Sequence, residues 1–134
     1  MQQAFATLPE QLRVRLIELD AEHGLEGFAR RYSRAKGQPF VSEGARTAGS
    51  SPPPNVSHPA VVRHPETGAP VLFVNPGFTI RFSGMSEGES EELVDQLATH
   101  ATKPENVYRH RWQAGDVVLW DNFRRFCQTN CTGD

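Results

Sequence analysis

The stretch "GQPFVSEGARTAGSSPPPNVS", residues 37–57, constrains the fold of this chain more than any other. Glycine, serine and proline crowd it. The three prolines at 52–54 remove N–H donors that a helix or a central strand would need. A loop this long inside a domain is usually functional or mobile. The pattern of the chain changes across this break. Apolar residues recur at helical spacing before the break and alternate or run together after it. No parallel βαβ rhythm and no internal repeat occurs, so the expected class is α+β, mainly β.

The piece before the break, residues 1–36, reads as helical. In "TLPEQLRVRLIELDAEHG" Thr7 and Glu10 have capping-box spacing, and Pro9 is tolerated in a first turn. Leu12, Leu16, Ile17 and Leu19 make one apolar face, and Gly24 is the expected stop. "LEGFARRYSRAKG" reads as a second helix, basic on its outside and ended by Gly37.

From His58 the pattern is that of strands. "AVVRH" and "PVLFVN" flank "PETG", which predicts a hairpin. "GFTIRF" is a further strand. "SEGESEELVDQLATHATKP" is a capped helix, with Ser86 and Glu89 as capping box, Leu93, Val94 and Leu97 as buried stripe, and Pro104 beyond its end. "NVYRHRW" alternates, with Tyr108, His110 and Trp112 on one face. "QAGD" is a turn, and "VVLWD" is apolar enough for a central strand.

Bulk properties narrow the function classes. The 134 residues suit one domain by the usual ~100–200 residues per domain. Net charge is -2, which gives no electrostatic footprint for nucleic acid or membrane. No apolar run approaches the ~18 residues of a membrane-spanning helix. The N-terminus lacks the basic-then-apolar layout of a signal peptide, so the expected location is cytoplasmic. Cys127 and Cys131 form no disulfide framework, and a zinc site would need a second ligand pair that is absent.

The histidines carry little chemistry by spacing alone. His64-Pro65-Glu66 formally matches the H-x-E spacing of facial metal ligands. Its place in a hairpin turn instead predicts side chains directed to solvent. His58 lies near a strand end. His110 is expected to pack or hydrogen-bond within a sheet face. His23 and His100 fall toward helix C-termini, where the dipole favours an imidazolium. No Walker A, G-x-G-x-x-G or G-x-S-x-G motif occurs.

Taken together, HPxxxxHPETG (58–68), LFVNPGFT (72–79), the S-E-x-E-S helix start and YRHRWQxGDVVLWDN (108–122) resemble the taurine dioxygenase (TauD/TfdA) family. These are iron(II)- and 2-oxoglutarate-dependent oxygenases. The match runs in order from His58 to Asn122, and the first helix is similar as well. The resemblance implies an incomplete double-stranded β-helix, or jelly roll, with flanking helices. It divides the chain into a helical segment 1–36, a loop 37–57, a family core 58–122 and a divergent tail 123–134. It also implies hydroxylation of a small organic acid such as a sulfonate.

Carried over residue by residue, the resemblance implies an altered site. The family's H-x-D/E iron pair is expected upstream of the first helix and thus outside this sequence. Trp120-Asp121-Asn122 matches the run that supports the distal iron ligand, so scaffolding is its implied role. Phe123 stands where arginine is usual, and Cys127 where the ligand histidine belongs. A one-residue shift restores an arginine as Arg124 but places Gln128 at the ligand position. The cosubstrate arginine is likewise expected beyond residue 134. Catalytic and metal residues are therefore expected to be absent, with neither Fe(II) nor 2-oxoglutarate bound by these residues alone. Phe78 and Asn75 match positions at the family's substrate pocket, each with an alternative as core or turn residue. An incomplete roll exposes strand edges, through which a homo-oligomer could form. The other reading is a non-catalytic interaction module derived from the fold.

Overall fold

The computed structural model describes residues 1–39 and 53–121. Helices α1 (Gln2–Ala6) and α2 (Glu10–Ile17) come first, followed by strand β1 (Asp20–His23) and helix α3 (Leu25–Lys36). Strands β2 (Val56–Pro59), β3 (Val61–Arg63), β4 (Pro70–Leu72) and β5 (Thr79–Phe82) follow, then helix α4 (Glu87–Ala101) and a 3-10 turn at Pro104–Asn106. Helix outweighs strand among the described residues, so the mainly-β expectation does not hold for them.

The strands form two antiparallel sheets, one ordered β2-β1-β5 and one pairing β3 with β4. They are joined at Ala60, which is fully buried. Its N–H donates to Leu19 O and its carbonyl accepts from Phe73 N, each at 2.8 Å. The core gathers Phe5 and Leu16 from the first helices with Leu8 between them, Ala21, Leu72 and Phe82 from the strands with Val74 just after β4, and Leu93, Val94 and Leu97 from α4.

Most local signals took the expected form. The β3–β4 hairpin closes through "PETG" with Gly68 at φ 66, a left-handed conformation that glycine adopts without penalty. Helix α3 ends at Gly37. At the start of α4, Ser86 Oγ accepts from Glu89 N, while Glu89 Oε2 accepts from Ser86 N at 2.9 Å. Ser90 is polar yet fully buried because its Oγ accepts the Phe82 N–H at 3.0 Å, satisfying a donor that would otherwise be orphaned inside the core.

Three expectations need correction. The first long helix does not reach Gly24. It ends at Ile17, and Asp20–His23 becomes the central strand. Two neighbouring strands offer that backbone ladder bonds that outweigh a weak local helical preference. Thr7 does not cap α2, whose N-cap is Pro9. Its hydroxyl donates back to Gln3 O at 3.0 Å, closing α1 instead. Finally, residues 107–121 contain no strand. The turn forms, with Asp116 N donating to Gln113 O at 3.1 Å, but Val117 and Leu119 are 92% and 96% exposed. An apolar strand needs neighbours on its edges and faces, and none among the described residues pairs with this one.

Candidate functional site

Phe78 and Asn75 share one tight turn before β5. Asn75 organises it. Its Oδ1 accepts from Gly77 N at 2.7 Å, and its carbonyl accepts from Phe78 N at 3.0 Å and Thr79 N at 2.8 Å. This is the side-chain turn chemistry for which asparagine is suited. The turn sets Phe78 partly in the open, at 42% exposure. Its ring stacks on Phe28 with centroids 6.0 Å apart, and Phe28 stacks in turn on Tyr32 at 6.1 Å. The sequence reading missed Phe28 and Tyr32. Their spacing of four along α3 puts both on one helix face, the signal that could have found them.

Helix α3 comes this close because of Gly27. A Cβ there would stand 3.2 Å from the Phe78 carbonyl oxygen, so a larger residue would need helix and turn to separate by a few tenths of an ångström.

Behind the turn lies His23 of β1. Thr79 Oγ1, which accepts from Asn75 N at 2.9 Å, is 3.3 Å from His23 Nδ1. The hydroxyl can serve Nδ1 as donor or acceptor. Among the described residues Nε2 is buried without a partner. The ring meets Phe73 edge-on at 5.5 Å and lies 6.0 Å from His58. Burial, and secondarily the charge His58 would carry, lower the His23 pKa below its ordinary value. The helix-terminus role expected for His23 is thus replaced by a strand role that favours the neutral ring.

His64 departs furthest from expectation. The turn was expected to direct it to solvent, yet it is only 5% exposed. Its Nδ1 accepts the backbone N–H groups of Glu66 and Thr67, both at 3.2 Å. Its Nε2 lies 2.6 Å from Asp121 Oδ2. The turn folds over the ring instead of expelling it, while Glu66 stays exposed. Asp121 is thereby hydrogen-bonded to the hairpin.

His100 and His110 are engaged by side-chain contacts as well. His100 Nε2 lies 2.9 Å from Thr7 Oγ1 and 3.1 Å from Ala4 O, tying α4 to α1. His110 Nε2 lies 2.8 Å from Asp116 Oδ2, and the His110 ring meets Trp112 at 4.7 Å and Tyr108 at 6.3 Å. The expected one-sided ladder of Tyr108, His110 and Trp112 is present without strand pairing. Among the described residues no group of three or more His, Cys, Asp or Glu side chains could hold a metal ion. The described residues thus do not fit an iron centre. Asn122, Phe123, Arg124, Cys127, Gln128 and Cys131 lie outside them.

An open groove of about 450 Å³ runs beside β1, lined by Asp20, Glu22, Asn55, Ser57, Arg81 and Met85 among others. Its Glu22 is already engaged, by Arg81 Nε at 2.6 Å and Asn55 Nδ2 at 3.0 Å. The Arg81 hydrogen bond, then that of Asn55, hold the Glu22 carboxyl below its ordinary pKa. No helix among the described residues is long and apolar enough to cross a membrane.

Comparison with known proteins adds the context that this geometry lacks. Residues 1–128 match the model of the taurine catabolism dioxygenase TauD, TfdA family. The chain is 35% identical over 122 residues to the alpha-ketoglutarate-dependent 2,4-dichlorophenoxyacetate dioxygenase of Burkholderia sp. (strain RASC), covering 91% of this chain and 38% of that protein. It is 36% identical over 123 residues to the alpha-ketoglutarate-dependent sulfate ester dioxygenase of Pseudomonas putida, covering 89% and 39%. The crystal structure of a taurine dioxygenase from Burkholderia xenovorans superposes with a TM-score of 0.61 at 32% identity, over 85% of this chain and 33% of that one. The chain thus spans between a third and two fifths of the length of these relatives.

Proposed function

The chain belongs to the TauD, TfdA family, and on that premise we propose that it is a portion of an Fe(II)- and 2-oxoglutarate-dependent dioxygenase, folded as part of a jelly roll. The whole enzyme would hydroxylate a small organic acid, of the kind that the relatives' names specify as sulfate esters, phenoxy acids and taurine. Its place would be the cytoplasm. The observation that carries the reading is the Asn75 turn. It presents Phe78 half-open beside an apolar stack, at the two positions that the family resemblance assigns to the substrate pocket. Phe78 would supply an apolar wall. Asn75 uses Oδ1 to hold the turn and keeps Nδ2 as a donor for an acidic substrate.

These residues by themselves are expected to do no chemistry. Iron and cosubstrate would require ligands beyond the described residues. In the whole enzyme the metal and 2-oxoglutarate supply the oxidising chemistry, and this portion contributes the wall and the fold behind it.

Two measurements test the proposal. The 134-residue chain, given Fe(II) and 2-oxoglutarate, should release no succinate above background. DNA flanking the reading frame should encode an upstream H-x-D/E and, in some frame, a downstream histidine and arginine. Flanks without those codons would favour the second reading, a non-catalytic interaction module. That reading draws on the exposed apolar residues of 107–121, among them Trp112, Val117 and Leu119.

A further inference from the structure

We infer that His64 is a positioning residue, which holds Asp121, the middle residue of the Trp120-Asp121-Asn122 run, against the β3–β4 hairpin. Its significance rests on the family reading above, in which that run leads toward position 127. Its geometry does not. The hairpin locks the imidazole from several sides. The His64 backbone N–H donates to Ala69 O at 2.9 Å, and its carbonyl accepts from Gly68 N at 2.8 Å. The ring is equally constrained, because Nδ1 accepts the Glu66 and Thr67 N–H groups. A nitrogen that accepts two donors cannot itself carry the proton, so the proton sits on Nε2. The turn thus selects the tautomer that can donate to a carboxylate.

Asp121 Oδ2 takes that bond at 2.6 Å, a short distance for a charge-assisted hydrogen bond. The ring is buried while the Asp121 side chain is 40% exposed. The immobile partner is therefore the histidine, and the aspartate is the one being placed. Residues 107–121 form no ladder with any described strand, so side-chain contacts, this one among them, hold what strand pairing does not. A histidine N–H donated to a carboxylate fixes the orientation of the two groups relative to each other.

The test uses the 134-residue chain and readouts independent of turnover. Long-range ¹⁵N–¹H correlation of the His64 ring should show the Nε2–H tautomer with a slowly exchanging ring proton. Asp121→Asn removes the charge without touching the hairpin. It should speed exchange of that proton roughly fivefold, as expected when a charge-assisted hydrogen bond becomes a neutral one to an amide oxygen, and shift the Trp120 indole resonance. In His64→Asn the side-chain oxygen can still accept from the turn but cannot reach Asp121. The Glu66 and Thr67 amides should then keep their protection while the Trp120 resonance moves as in Asp121→Asn. A His64 proton on Nδ1, or a Trp120 resonance unmoved in both variants, would overturn the inference. Failure of the dioxygenase reading would show as flanking DNA without ligand codons and would leave these spectra unchanged.

Discussion

On one side α4 lays Leu93, Val94 and Leu97 into the core and reaches Phe82 of β5 through Ser90. On another it offers Glu87, Glu91 and Asp95 to Arg30, Arg34 and Arg31 of α3. The first joint is apolar and dry, with Leu97 only 1% exposed. The second is a row of ion pairs in water; the Arg31–Asp95 pair has side chains 28% and 56% exposed. Helix α3 buries only Gly27. One helix therefore makes two attachments of very different strength, since burial of apolar area stabilises by kcal/mol while exposed ion pairs contribute little.

Leu97→Ala tests the stronger joint. It should cost about 2–5 kcal/mol, the range for deleting a buried leucine side chain with partial collapse of the cavity. Denaturant titration against the unchanged chain would measure this. A loss below about 1 kcal/mol would mean that α4 is not seated as described.

His23 gives an effect of intermediate size at the sheet beneath that joint. Its folded pKa lies below the ordinary 6.5, so the fold favours the neutral ring. The unfolded chain then binds more protons than the folded one between the two values, and stability rises with pH across that window. Acidification from above pH ~6.5 should progressively destabilise the chain until the depressed folded value is passed. Melting temperatures at pH 7.5 and 5.5 would show the loss. His23→Phe, which fits beside Phe73 and does not titrate, should abolish most of it. An equal loss in the variant would assign the effect elsewhere.

Arg31→Ala probes the weaker joint and should produce the smallest change. Global stability should fall by less than ~1 kcal/mol, as for exposed ion pairs. The α3 amides should exchange faster while those of α4 do not. Raising salt on the unchanged chain should loosen α3 in the same way, because screening acts on exposed pairs. If Arg31→Ala cost as much as Leu97→Ala, the two joints would not differ as argued.

The elements written in local chemistry were legible in the sequence. The Ser86–Glu89 box, the "PETG" hairpin and the Gly37 stop each depend on residues within a few positions of one another. What was not legible depends on partners far away. Asp20–His23 continues a helical spacing and becomes a strand only because β2 and β5 arrive on its two sides. "VVLWD" has the composition of a central strand, but composition cannot supply the neighbours it needs. The same holds at the candidate site. Asn75 and Phe78 could be picked out by resemblance, but Phe28 and Tyr32 join them only through the packing of α3. His64 looked like a turn residue and is one. What its second nitrogen does depends on Asp121, 57 positions on.

The central position of β1 bears on the order of assembly. His23 pairs with Val56 on one side and Thr79 on the other. Leaving a ribosome, the segment Asp20–His23 would wait until residue 82 had emerged before both its flanking ladders could close. Such non-local closure is the slow class of folding event, because loop entropy must be spent before any contact is gained. Until then nothing opposes the helical spacing that runs through Leu19, and the earliest form of this segment should be more helical than its final one.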